Sequence, residues 1–239
     1  MATREGVPLD LGPRQRRVLL IRLLVADGCA VSLHGLCDDL WGERPPARAA
    51  TAVHAHISRL RRVLHPVGAS GVCREGVLAT TPYGYVLRVA GEDRDTVWFE
   101  RAVAEGRELL EAGRPERAVE VLAGALGVWR GDALADAAFL PFAAREIARL
   151  TERRHAAREL CVRALLMSGR PDQAVLMARD LVDEEPLRES AWDLLMRSLW
   201  LLGRPAEALQ QYDLASRVLH AELGVDPGPA LRGLRQAIQ

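Results

Sequence analysis

The sequence predicts a mainly α-helical chain in two domains, residues 1–90 and residues 95–239. Three observations carry this. Apolar stripes of helical period recur along most of the 239 residues, while strand-like stretches fall together between residues 72 and 89. A Gly-Arg-Pro motif recurs in the C-terminal part, two of its copies 34 residues apart. Charge is unevenly divided: residues 1–90 hold 12 Arg against 7 acidic residues, and residues 91–239 hold 20 Arg against 25. The formal net charge of zero thus joins a basic part to an acidic one, a pattern of domains with different partners. The basic part is the candidate for a polyanion.

Composition excludes several classes. Hydrophobic residues make up 49% and charged residues 27%, globular values that rule out a wholly disordered, collagenous or coiled-coil chain. All 32 basic residues are Arg. Without Lys there is no Walker A loop, no Schiff-base enzyme and no protein kinase. Cys29, Cys37, Cys73 and Cys161 form no CxxC pair, and no His/Cys set has zinc spacing. They are read as reduced thiols, with no metal and no cofactor expected. Residues 2–10 lack a signal-peptide core, and the apolar run Val18–Leu24 is broken by Arg22. A soluble, cytoplasmic protein with no membrane partner is expected.

The elements follow in order. Residues 14–26 carry Val18, Ile21, Leu24 and Val25 as a helical stripe, with Pro13 placed to open the helix and Gly28 to end it. A short helix follows, capped by Ser32, with Leu33, Leu36, Leu40 and Trp41 as its buried face and Gly42 as its stop. After a Glu-Arg-Pro-Pro turn comes a third helix, from Ala47, whose buried stripe is Val53, Ile57, Leu60 and Leu64.

The opposite face of the third helix holds Arg48, Thr51, Ala55, Ser58, Arg59 and Arg62, with His54 and Arg61 on its flanks and no acid among them. That is the chemistry of a helix in a DNA major groove. Arg suits guanine edges and phosphates, hydroxyls suit either, and a small residue permits close approach. A solvated face with a chance excess of Arg competes with this reading. The strand-like stretches Val72–Arg74, Val77–Thr80 and Tyr85–Val89 favour the groove, because turns at Glu75-Gly76 and Pro82-Tyr83-Gly84 fold them into a hairpin. Three helices and a hairpin describe a winged helix-turn-helix, whose wing tip, with Thr80, Thr81 and Tyr83, would reach the adjacent DNA backbone or minor groove.

The acidic part reads as an all-α, tetratricopeptide-like repeat domain. Gly-Arg-Pro begins at Gly113, Gly169 and Gly203; Gly suits the left-handed turn out of one helix and Pro the first turn of the next. Ala174 and Ala208 stand five after their Gly, where two helices approach closely, and Pro186 and Trp192 keep the same phase. Trp192, Leu195, Met196 and Leu199 form an inter-helix stripe, and Ile147, Leu150, Ala157, Cys161 and Leu165 support one long helix over 142–167. Such arrays bind partners more often than they catalyse. His155 is expected to be solvated, and Glu184 and Glu185 to point to different helix faces. No catalytic residue is proposed, and no enzyme is expected.

At this point the residues resemble a known family. His56-Ile-Ser-Arg-Leu-Arg-Arg-Val-Leu64, followed by a hairpin ending Pro82-Tyr-Gly-Tyr-Val-Leu87, is similar to the effector domain of OmpR/PhoB-type regulators. Gly131-Asp-Ala-Leu-Ala-Asp136, the Gly-Arg-Pro repeats and the tail from Glu222 resemble a bacterial transcriptional activation domain (BTAD). Together they resemble the SARP family, the antibiotic regulatory proteins of actinobacteria. The resemblance implies a sequence-specific transcription activator that binds direct repeats near promoters, as a dimer or tandem pair on double-stranded DNA, and recruits RNA polymerase holoenzyme to a secondary-metabolite gene cluster. It also implies a polymerase-contact loop at Trp41, Glu43, Arg44 and Pro45, and a short member without an ATPase module. Two departures stand out: only about eight residues precede Leu9, where the family usually has several strands, and Thr81 stands at the wing tip where the family often has Arg. The alternative is an adaptor that does not bind DNA, whose basic domain docks an acidic protein.

Overall fold

The computed structural model describes residues 3–4, 7–64 and 77–239. The expected strand Val72–Arg74, the turn at Glu75-Gly76 and Cys73 lie outside the described residues. The chain forms two compact units that do not follow sequence order: Met1–Arg94 with Gly131–Thr151, and Asp95–Arg130 with Glu152–Gln239.

In the first unit, β1 (Thr3–Arg4) and β2 (Val7–Pro8) form a short antiparallel pair, with Thr3 opposite Pro8. Three helices follow: α1 (Arg14–Val25), α2 (Leu33–Trp41) and α3 (Ala49–Leu64). Pro13 precedes α1 with an extended ψ, and Asp27 and Gly28 end the turn after it with positive φ. The Ser32 hydroxyl accepts from the Gly35 amide at 3.0 Å, satisfying one of the unpaired donors at the start of α2. β3 (Leu78–Thr81) and β4 (Gly84–Leu87) pair antiparallel around Pro82-Tyr83.

The core of this unit is Leu19, Leu23, Leu36, Val53, Ile57, Leu60, Leu78, Tyr85 and Leu87. The α3 stripe lies where its periodicity puts it, with Leu64 partly buried at the edge. The α1 stripe is rotated from expectation. Leu19, Leu20 and Leu23 are buried along with Val18, while Ile21, Leu24 and Val25 are only partly covered. A helix this apolar offers two candidate stripes, and packing against α2, α3 and β4 selects one.

The second unit is all helical among its described residues. α4 (Asp95–Glu111) packs on α5 (Pro115–Leu126), α7 (Pro171–Glu184) on α8 (Glu189–Leu201), and α8 on α9 (Pro205–Leu223) and on α10 (Pro229–Ile238). The long α6 (Pro141–Met167) gives its residues up to Thr151 to the first unit and the rest to the second. The three Gly-Arg-Pro turns share one geometry. Gly113, Gly169 and Gly203 have φ of 67°, 71° and 76°. In each, the following Arg amide donates to a Leu carbonyl five residues back: Arg114 to Leu109, Arg170 to Leu165 and Arg204 to Leu199. These bonds satisfy carbonyls that the ending helix leaves open, and Pro then starts the next helix without needing its own N–H.

Small residues set how closely the helices approach. Ala118, Ala174 and Ala208 are fully buried. At Gly106 an added Cβ would lie 2.6 Å from Leu122 Cδ2, so α4 and α5 touch through a missing side chain. Trp192 is buried and its indole N–H donates to the Pro186 carbonyl at 2.8 Å, which ties the start of α8 to the Pro after α7.

His155 departs from expectation: it is 3% exposed, with Nε2 3.5 Å from Glu184 and Nδ1 3.6 Å from Glu185. Glu184 is the last residue of α7, and Glu185 leaves the helix with φ −134° and ψ 69°. The helix ends between the two carboxylates, so both reach one imidazole instead of diverging.

Overpacking tests the close approach. Ala208→Leu in the full chain should cost about 1–3 kcal/mol, read as a lower thermal or urea midpoint. An unchanged midpoint would mean that the helices do not meet at Ala208.

Candidate nucleic-acid interface

The exposed face of α3 follows from its buried one. With Val53, Ile57 and Leu60 in the core, Thr51, His54, Ala55, Ser58, Arg59 and Arg62 are exposed, and Arg48 is exposed just before the helix. The helix contains no Asp or Glu. His54 stands edge-on to Tyr85 of β4, their rings 6.4 Å apart.

Arg61 has a different environment from its neighbours. Its Nε donates to the Leu78 carbonyl at 2.9 Å and its Nη2 to the Thr80 hydroxyl at 2.7 Å. One guanidinium therefore fixes β3 alongside α3, so Arg61 and Thr80 hold each other. Thr81 is tied up too: its hydroxyl donates to the Gly84 carbonyl at 3.1 Å and accepts from the Tyr83 amide at 3.3 Å. The turn is thereby closed, and Tyr83 projects from it at 81% exposure.

The hairpin is anchored at its other edge by an exchange of backbone hydrogen bonds between Val31 and Tyr85, both at 2.9 Å. Gly84 makes this possible. Its φ is 134°, and a Cβ there would lie 2.0 Å from the Val31 carbonyl oxygen. After α2, Trp41 is half-buried, while Glu43, Arg44 and Pro45 are exposed. That loop and the α3 face belong to the same unit.

Sequence reasoning missed the contacts that brace these helices. Arg17 makes a two-pronged bond to Asp136, both prongs at 2.7 Å, and Arg14 Nε donates to the Asp136 carbonyl at 3.0 Å. The Arg17 bond, against the opposing effect of burial, holds the Asp136 carboxyl below its ordinary range. Arg22, noticed only as a break in an apolar run, pairs with Asp39 at 2.5 Å and lies over the Phe142 ring at 5.5 Å. No local pattern announces a partner more than a hundred residues away; the one available signal was a charge inside an otherwise apolar stripe.

Other chemistry is not assembled. Among the described residues no group of His, Cys, Asp and Glu could hold a metal ion, and no helix is long and apolar enough to cross a membrane. Burial pushes the Cys161 thiol up to about 11, which leaves it protonated and unreactive at neutral pH.

Comparison with known proteins now bears on this arrangement. The profile of the bacterial transcriptional activator domain matches residues 94–239. The regulatory protein DnrI of Streptomyces peucetius is 34% identical over 246 residues, covering 100% of this chain and 88% of DnrI. The chain belongs to the SARP family. Transcriptional regulator RedD of Streptomyces coelicolor is 40% identical to this SARP chain over 219 residues, covering 90% of it and 61% of RedD. A solved structure, Mycobacterium tuberculosis EmbR in complex with a low-affinity phosphopeptide, superposes with a TM-score of 0.86 at 32% identity, over 99% of this chain and 62% of that one. The chain spans about three fifths of the length of RedD and of EmbR. These relatives are named as regulators.

The Arg17–Asp136 bond predicts a pH signature. A carboxyl more acidic in the folded than the unfolded state stabilises fully above its unfolded value, and that contribution fades as pH falls through the folded one. Both side chains are about a third exposed, at 39% and 33%, so solvent screens the effect. Unfolding stability should therefore drop below about pH 4 with a component that Asp136→Asn removes. Superimposable acid profiles for the two proteins would show that the bond contributes nothing.

Proposed function

We propose that the protein is a sequence-specific DNA-binding transcription activator. Residues 1–90 read DNA as a winged helix-turn-helix, and residues 95–239 serve as a tetratricopeptide-like partner-binding domain. In this reading α3 enters the major groove. Arg48, Thr51, His54, Ser58, Arg59 and Arg62 face the bases and phosphates, and the β3–β4 wing presents Tyr83, with Thr80 and Thr81 behind it, to the neighbouring backbone. Arg61 acts as a positioning residue that sets the wing against the helix, as its bonds to Leu78 and Thr80 suggest.

The single observation that carries the reading is the acid-free exposed face of α3 in a unit that also holds an anchored hairpin. A solvated helix has no reason to exclude carboxylates, whereas a helix meeting phosphates does. Membership of the SARP family supports the remainder: binding to direct repeats, contact of Trp41, Glu43, Arg44 and Pro45 with RNA polymerase holoenzyme, and control of a secondary-metabolite gene cluster in the cytoplasm.

Arg59→Ala and Arg62→Ala should leave the thermal midpoint in place and weaken DNA binding. Loss of a base contact costs about 1–3 kcal/mol and relaxes specificity at one position. Loss of a phosphate contact weakens all sequences alike and shallows the salt slope by about one unit. Wild-type DNA affinity in both variants, or no sequence preference in the parent, would favour a protein-docking role.

One winged helix makes few base contacts, while genomic specificity needs a specific-to-non-specific ratio of roughly 10³–10⁷. Two protomers in tandem would supply it, with equivalent bases about 10–11 bp apart on one face of the duplex. An insertion of about half a helical turn between repeats should abolish cooperative binding, and one of about a full turn should partly restore it. Equal binding at all spacings would mean that each protomer binds alone.

A further inference from the structure

Helix α1 carries Arg16 and Arg17 in its first turn and Arg22 further along, and they are not equivalent. Arg17 and Arg22 have carboxylate partners, Asp136 and Asp39. Arg16 has none among the described residues, although it is the most buried of the three at 8% exposure. Its Nε is sealed from solvent with no hydrogen-bond partner among the described residues. Its guanidinium lies on Gly12, where φ is +77° and an added Cβ would come within 2.5 Å of Nη1. The glycine that opens the turn into α1 is thus also the residue that makes room for this charge.

A buried charge without a counter-ion is unfavourable unless an anion arrives from outside. Helix α3, which packs on α1, carries His56, partly buried, with Nδ1 likewise sealed and without a partner among the described residues. Only Nε2 of that imidazole is left to meet a ligand. Among the described residues, the charges acting on His56 are those of Arg16 from α1 and Arg59 on its own helix, both positive. Burial first, then these two charges, holds the imidazole below its ordinary range, so it is neutral in the free protein at neutral pH.

Helix geometry gives these groups a place relative to the hairpin. At about 100° per residue, Arg61 and His54, which meet β3 and β4, lie to one side of the buried stripe. His56 and Arg59 lie to the other. Arg59 is exposed and belongs to the face assigned to DNA.

We propose that Arg16, His56 and Arg59 form a seat for one DNA backbone phosphate on the flank of α3 opposite the hairpin, and that His56 takes up a proton as the phosphate arrives. This rests on the DNA-binding reading above. Arg59 donates to the phosphate directly, the Arg16 guanidinium supplies a fixed positive charge behind it, and protonated His56 donates through Nε2. The phosphate's negative charge offsets the two guanidinium charges and raises the proton affinity of the imidazole. Complex formation therefore consumes a proton, and affinity rises as pH falls. The seat and the hairpin grip opposite rims of the same groove.

The test uses the full chain and a short duplex selected by that chain from random-sequence oligonucleotides. Affinity is measured at constant ionic strength from about pH 8 to about pH 5.5, on either side of the ordinary imidazole value. It should strengthen by a factor approaching tenfold per pH unit over part of that range. Calorimetry in buffers of different ionisation enthalpy should show about one proton taken up per protomer at the lower pH. His56→Gln should lose the gain in affinity at low pH and show a flat profile. In the unmodified chain, replacing backbone phosphates singly by neutral methylphosphonates should flatten the profile at one position, and at that position Arg59→Ala should have no further effect. Inorganic phosphate should not reproduce the uptake. A pH-independent affinity, a slope that survives in His56→Gln, a methylphosphonate scan with no such position, or equal uptake with inorganic phosphate would each overturn the seat. Failure to bind any duplex would instead overturn the DNA-binding reading on which it stands.

Discussion

Burial of one stripe of α3 governs the rest of the first unit. Val53, Ile57 and Leu60 have to leave water, and on a helix that choice of stripe dictates the direction of every other side chain. The exposed arginines are therefore consequences of the core rather than independent features of the surface. The same stripe brings Arg61 to the edge of the helix, where its planar fork meets a carbonyl and a hydroxyl of β3 together. A hairpin alone is marginally stable in water. Here it is held on one edge by Arg61 and on the other by the Val31–Tyr85 backbone exchange. A substitution in the core of α3 would thus disturb both its exposed face and the hairpin.

The second unit is ordered by repetition. Each Gly-Arg-Pro turn reverses the chain with the same hydrogen bonds, so successive helices leave their turns in similar directions. Fully buried Ala at matching positions keeps the helix faces close. Around Trp192 the repeat acquires a fixed point, because the indole N–H is satisfied by the Pro186 carbonyl and the ring is free to fill the core. Near Trp129 the packing is of another kind: Phe99 meets the indole edge-on at 5.5 Å and Arg154 lies over its face at 5.0 Å.

What could be read in the sequence was what local physics decides. Helical periodicity gave α3 its phase, and Gly followed by Pro gave the repeat turns, because both depend on neighbours a few residues away. The phase of α1 was ambiguous, since nearly every residue from Val18 to Val25 is apolar and only tertiary packing chooses among them. Reading Glu184 and Glu185 as diverging assumed that a helix continued through both, and its end between them reversed the result. The partners of Arg17 and Arg22, the sealed polar atoms of Arg16 and His56, and the contact of Gly84 with Val31 involve residues distant in sequence. Sequence spacing carries no trace of such pairings. The acid-free face of α3 was legible because it is the complement of a periodic core, and its supports were not, because they come from elsewhere in the chain.

The bond between Arg17 and Asp136 joins residues 119 apart in the sequence. During synthesis at roughly 5–20 residues per second, Asp136 emerges several seconds or more after Arg17. The N-terminal helices thus spend that interval without one of their braces, and the loop that the bond closes is long enough to make it a late event in assembly. A nascent chain stalled before residue 136 would carry α1 to α3 and the hairpin, yet leave Arg17 with no carboxylate to meet. Maturation of this unit therefore waits on translation of its own later segment, Gly131–Thr151.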